Sequence, residues 1–200
     1  MNDRSPEHIR PLLARIDRLM AERERVLVAI DGGSASGKTT LSELLQSVYA
    51  CPVFHMDDFF LRPEQRTPER FSEPGGNVDR ERFLSEVLLP LREGKAVDYR
   101  RFDCKTFTIA SPRRIEPGRL NIIEGAYAMH PDLAPYYDLT VFLVVSAEKQ
   151  RERILKRNAP AQAELFFDRW IPFEQRYFAA LNVPERCDLT IFLDDQTSVP

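Results

Sequence analysis

Gly32-Gly33-Ser34-Ala35-Ser36-Gly37-Lys38-Thr39 fits G-x-x-x-x-G-K-[ST] at every fixed position. The residue types define a chemistry. Glycines let a loop wrap tightly enough for its backbone N–H groups to converge on phosphate oxygens. Lys38 supplies a point charge for the β/γ-phosphates, and the Thr39 hydroxyl can ligate Mg²⁺. A helix that follows the loop directs its positive end at the same anion. Gly32 to Thr40 is therefore the expected cradle of a nucleoside triphosphate, with ATP and Mg²⁺ as the expected cofactors.

Phosphoryl transfer needs little beyond such a cradle: a metal site, a base that orients the acceptor, and cations over the transferring group. Asp57 follows an apolar segment and is the candidate base, although Asp58 beside it could exchange roles with it as a turn cap. Glu124 ends another apolar run, where a carboxylate near the metal belongs, so Thr39 and Glu124 are the candidate metal residues. Arg151, Arg153 and Arg157 share one charged segment; Arg153 and Arg157, four apart, fall on one helical face. They read either as a lid over the phosphates or as a solvated helix face. Arg169 is a weaker candidate. His55 reads as a packed strand histidine. The aromatics Tyr99, Phe102 and Phe107 read equally as core or as a stacking platform for a flat acceptor base.

These residues require a frame that brings them to one edge. Val26–Ile30 is an apolar, β-branched run before the loop, and Thr40–Val48 carries Leu41, Leu44, Leu45 and Val48 at helical spacing. Pro52–Met56, Leu120–Gly125, Leu139–Val145 and Asp188–Leu193 read as four further buried strands, separated by helical segments. The pattern predicts a three-layer α/β/α domain with a five-stranded parallel sheet, whose ligands sit outside the carboxyl ends of the strands. Residues 6–25 predict an amphipathic helix with Ser5-Pro6 as its start. It is expected to pack on the outside of the core, and it could also contribute to a homo-oligomer interface. Residues 61–78 predict a long irregular loop, 79–92 a helix, and 96–116 a short β-like region. A charged helix is expected over 147–158, an interruption over 159–163 and a second helix over 164–181, where Trp170, Phe173, Tyr177 and Phe178 read as core.

The 200 residues are expected to form one domain, with 1–25 as the N-terminal helix, 57–118 as the acceptor-binding region and 151–170 as the lid. A net charge of −3 argues against charge-driven binding to nucleic acid or membrane surfaces. No apolar run approaches membrane-spanning length, and the N-terminus carries no apolar core of a secretory signal. Cys51, Cys104 and Cys187 form no C-x-x-C pair and are expected to be buried or semi-buried thiols. A reducing cytoplasm is the expected compartment.

Taken together, these elements resemble the uridine kinase-like branch of P-loop kinases, which includes phosphoribulokinase, pantothenate kinase and nicotinamide riboside kinase. The elements that carry the resemblance are Gly32–Thr40, Asp57-Asp58-Phe59-Phe60, Asn77-Val78-Asp79, Phe102-Asp103, Ile122-Ile123-Glu124-Gly125 and the Arg151–Arg157 segment, in the expected order. The resemblance implies that Asp57 is the catalytic aspartate and that Asp79 holds ribose hydroxyls. It implies that Phe102 and Asp103 lie near the acceptor base, with Phe replacing a tyrosine at 102; Tyr99, read from its aromatic ring alone, completes the expected substrate-binding set. Arg153 and Arg157 match lid arginines and, with Lys38 and Asp57, complete the expected catalytic set. The lid between Arg157 and Trp170 is shorter than that of a typical uridine kinase. The expected activity is transfer of the γ-phosphoryl group of ATP to a nucleoside 5′-hydroxyl. Nicotinamide riboside or pantothenate as acceptor, or a nucleotide switch without one, are the alternatives.

Overall fold

A long, continuously apolar strand is stable only where both of its faces are covered, and β1 (Val26–Gly32) meets that condition: all seven residues are buried. The structure, a computed structural model, describes residues 7–193. Ser5 and Pro6, expected to start the first helix, lie outside the described residues. After a 3₁₀ turn, α1 (Arg10–Glu22) has Pro11 in its first turn, where a missing N–H costs nothing. From β1 the chain passes through the glycine loop into α2 (Lys38–Tyr49), then β2 (Val53–His55) and α3 (Pro68–Ser72). α4 (Arg80–Phe83), a π-helical stretch (Leu84–Leu88) and α5 (Leu89–Arg92) form one continuous helix. Four short strands follow: β3 (Val97–Tyr99), β4 (Phe102–Asp103), β5 (Thr108–Ile109) and β6 (Arg113–Ile115). Next come β7 (Leu120–Glu124), β8 (Leu139–Val144) and α6 (Ala147–Arg157). α7 (Pro160–Leu165), a π-helical stretch (Phe166–Trp170) and α8 (Ile171–Leu181) run on without a break, before α9 (Val183–Arg186) and β9 (Leu189–Phe192).

The main sheet has the order β2-β7-β1-β8-β9, and every pairing is parallel. Alternation along β1 divides the core into two layers. Leu27 and Ala29 join Phe54, Phe59, Phe83, Leu88 and Ile123 on one side. Val26, Val28 and Ile30 join Leu12, Ile16, Leu45, Ile122 and Val141 on the other. α1 therefore spends its apolar face on the sheet, with Leu12 and Ile16 fully buried at about 1.5–3 kcal/mol each. Val48, expected inward with Leu41 and Leu45, is 51% exposed, and Leu44 is half-buried.

Three further expectations are corrected. Residues 61–78 are organised: Thr67 caps α3 by accepting from the Arg70 amide, and the Arg70 guanidinium donates to the Gly76 and Val78 carbonyls and to Glu81. A Cβ at Gly76 would come within 1.9 Å of the Arg70 carbonyl oxygen, so only glycine fits there. The predicted interruption over 159–163 shrinks to Asn158 and Ala159, because Pro160 opens α7 instead of breaking a helix. The β-like region resolves into two antiparallel pairs, β3 with β6 and β4 with β5. Cys51 is buried and Cys187 half-buried, whereas Cys104, expected to be at least partly buried, is exposed.

Candidate active site

The carboxyl ends of β1, β2 and β7 deliver the glycine loop, Asp57 and Glu124 to one edge of the sheet, where a cavity of about 460 Å³ opens. One end is polar, lined by Ser34, Lys38, Thr39, Asp57, Glu124 and Glu174. The other is mostly apolar, with Ile9, Leu41, Leu44, Phe166 and Leu193 beside His8 and Arg157. A site with an anion-binding end and an apolar end fits a nucleotide.

The loop turns as its sequence demands. Gly37 has φ +103° and serves as N-cap of α2 without any side chain capping the helix. The first-turn amides of α2 thus lack a side-chain acceptor, and their dipole faces the cavity. Lys38 Nζ donates to the carbonyls of Gly32 and Gly33, 2.9 Å each, which folds its charge back over the loop. Of the expected cradle residues, Ser34, Ala35, Gly37, Lys38, Thr39 and Thr40 line the cavity. Gly32 and Ser36 are buried beneath it, and Gly33 supports it from behind, against Gln150.

Asp57 and Asp58, interchangeable in the sequence, are separated by geometry. A 3₁₀ turn (Met56–Asp58) buries Met56 and Asp58 and turns Asp57 to the cavity. Asp58 accepts the Tyr99 hydroxyl and Arg101 Nε, both at 2.7 Å, so its oxygens are structurally occupied. Asp57 is open to solvent through the cavity mouth, while protein packed around the rest of it raises its pKa. Glu124 and Asp58 add to the rise, and Lys38 and His55 oppose it. A carboxylate poised to accept a proton is the result.

Thr39 Oγ1 stands 3.4 Å from Glu124 Oε1, so a hydroxyl and a carboxylate share the polar end. These are hard oxygen donors of the kind Mg²⁺ takes, and both remain open to the cavity, so the residues fit that ion. His55 is not simply packed: its Nδ1 lies 2.5 Å from Glu124 Oε1, and that contact, outweighing burial, raises the histidine's pKa. His55 thereby orients the Glu124 carboxylate.

Arg153 and Arg157 both reach the cavity; Arg153 Nη1 donates to the Ala35 carbonyl at 3.0 Å. Arg151 instead stacks over Phe167, and Arg169 over Trp170, so neither belongs to the cavity wall. The remaining expected acceptor contacts lie away from it. Tyr99 is a core residue, its ring against Phe54 and Phe59 and its hydroxyl on Asp58, which removes it from the acceptor-stacking set. Asp79 is buried as the N-cap of α4, accepting from the Arg82 amide, with Arg62 Nε on its other oxygen at 3.2 Å. Phe102 is buried under Phe107, with the Arg66 guanidinium over both rings. Asp103 is exposed and accepts from the Lys105 amide within the 104–107 turn. The two polar residues that sequence reasoning missed at the cavity are Glu174, read past as part of an aromatic core stretch, and His8. No sequence signal marks Glu174, whose partner Ser34 is 140 residues away.

The model of the "Phosphoribulokinase / Uridine kinase family" matches residues 27–161, from the first strand to the start of α7. The chain belongs to that family. Among relatives of this family member, uridine kinase-like protein 4 of Arabidopsis thaliana is 29% identical over 146 residues, 68% of this chain. The chain spans about a third of that relative's length, 31%. A uridine kinase of Chloroflexus aurantiacus is 29% identical over 143 residues, which cover 66% of this chain and 68% of the relative. Among solved structures, that of a possible uridine kinase from Bacillus stearothermophilus superposes with a TM-score of 0.64 at 23% identity, over 90% of this chain and 99% of that one. At that identity the likeness speaks for the fold.

Proposed function

We propose that this chain is an ATP- and Mg²⁺-dependent kinase that transfers the γ-phosphoryl group to a hydroxyl of a small molecule, with the 5′-hydroxyl of a nucleoside as acceptor. The observation that carries the reading is the convergence of Lys38, Thr39, Asp57, Glu124, Arg153 and Arg157 on one cavity. A nucleotide switch would have no use for a second, proton-accepting carboxylate opposite the phosphate loop. Kinship with uridine kinases supports the nucleoside acceptor.

In this reading the loop amides and Lys38 hold the β- and γ-phosphates, and Arg153 and Arg157 close over them. Thr39 and, through water, Glu124 would hold Mg²⁺, which when bound neutralises phosphate charge. Asp57 orients the acceptor hydroxyl and takes its proton as the new O–P bond forms. The bond from the γ-phosphorus to the bridging oxygen breaks, ADP leaves with that electron pair, and the proton passes from Asp57 to solvent. The acceptor would approach from the side of Asp57; Asp79, buried as the N-cap of α4 beneath Arg62, stands back from the cavity. Residues 57–118 supply that side and residues 151–170 the lid of one kinase domain. Its three unpaired thiols suit a reducing cytoplasm.

Asp57→Asn tests the assignment because it is nearly isosteric. The expected outcome is a fall in phosphorylation rate of about 10²- to 10⁴-fold with ATP affinity unchanged. Undiminished phosphorylation would remove Asp57 from the role of base.

A further inference from the structure

Glu174 is 4% exposed, yet its carboxylate lines the cavity and grips the phosphate loop. Oε2 accepts from the Ser34 amide at 2.9 Å and Oε1 from the Ser34 hydroxyl at 2.5 Å. Gln150 Nε2 donates to the Ser34 carbonyl at 2.8 Å, and Arg153 Nη1 to the Ala35 carbonyl. Side chains from α6 and α8 thus hold both peptides at the apex of the loop, where Ala35 adopts φ +58°, a left-handed conformation uncomfortable for alanine. Gly33 permits the grip: a Cβ there would come within 2.9 Å of Gln150 Nε2.

The two halves of the loop differ in what supports them. Gly37 to Thr40 enter α2, and the helix itself fixes their amides. Ser34 and Ala35 have no such support and depend on Glu174, Gln150 and Arg153. Lys38 Nζ, the charge for the β/γ-phosphates, rests on the carbonyls of Gly32 and Gly33 at 2.9 Å, beside Ser34, so the Ser34 end of the loop is the end that meets the terminal phosphate. The phosphate that meets the acceptor is the transferring one.

We infer that Glu174 is a positioning residue that holds the Ser34-Ala35 turn, and with it the Ala35 amide, for the γ-phosphate, so that the site favours a triphosphate over a diphosphate. The inference rests on the kinase reading above and adds to it a dependence of the phosphate loop on α8. Glu174 acts through Ser34.

Equilibrium binding of MgATP and MgADP, measured by titration calorimetry without any acceptor, tests it. The variants are Glu174→Ala, Glu174→Gln and Ser34→Ala, each with a thermal midpoint taken alongside. Glu174→Ala is expected to weaken ATP about tenfold and leave ADP within about twofold. Glu174→Gln, whose amide oxygen still accepts from the Ser34 amide, is expected to fall between; Ser34→Ala, which keeps that amide bond, is expected to do the same. If Glu174→Ala does not fold, the other two variants carry the test. Equal loss of both nucleotides with a lowered midpoint would make Glu174 merely structural, and unchanged or tighter ATP binding would overturn the inference outright. Failure of the unsubstituted chain to bind either nucleotide would overturn the kinase reading beneath it.

Discussion

At the scale of single residues, the site is a set of charges whose surroundings decide their roles. Asp57 and Asp58 are adjacent and identical in type, yet one is occupied by Tyr99 and Arg101 and the other is open. No local pattern could separate them, because the separating partners come from β3 and the segment after it. Asp31 is another case. It is fully buried beneath the loop and accepts from the amides of Gly32 and Met129 and from the Tyr177 hydroxyl, and burial still pushes its pKa up to about 6. The folded chain then holds this proton more tightly than the unfolded chain, whose carboxyl titrates near 3.8. Stability from this group is complete below about pH 3.8 and is lost as pH rises to about 6, by about 3 kcal/mol at most. Asp31→Asn cannot titrate, so its stability deficit relative to the parent chain should be largest near pH 4 and shrink by pH 7. Urea unfolding midpoints of the two chains across that range check the sign.

At the scale of elements, what was legible in the sequence followed from burial. The strands of the main sheet announce themselves because a parallel strand covered on both faces is mostly apolar: Val26–Ile30 of β1 is wholly so, and β7 departs only at Asn121 and Glu124. The helices that cover them show the corresponding 3.6-residue period. What was not legible depended on contacts made at a distance or on one residue with two meanings. Pro160 reads as a breaker and serves as the first turn of α7. Glu174 lies in a helix whose aromatic spacing speaks of packing, and only the fold reveals Ser34 as its partner. Residues 61–78 look structureless because what orders them is the Arg70 side chain, which reaches the Gly76 and Val78 carbonyls and the Glu81 carboxylate. That element-scale claim is testable. Arg70→Ala should lower the thermal midpoint by an amount corresponding to about 1–3 kcal/mol and raise the KM for the acceptor, while the KM for ATP stays put. Paired steady-state titrations of the two substrates would show it.

At the scale of the whole molecule, one cavity joins parts drawn from nearly the full chain, from His8 to Leu193. A ligand that occupies it must stabilise all of them together. MgATP at about a hundredfold above its Kd is expected to add about 2.7 kcal/mol to the unfolding free energy, visible as a rise in thermal midpoint that Lys38→Ala abolishes. Among the described residues no helix is long and apolar enough to cross a membrane. The most direct test of the central claim is acceptor-dependent ADP release from MgATP across nucleosides, nicotinamide riboside, pantothenate and sugar phosphates. A nucleoside is expected to accelerate ADP release and to be recovered as its 5′-monophosphate in equal amount. ADP release indifferent to every acceptor, with no phosphorylated product, would contradict it.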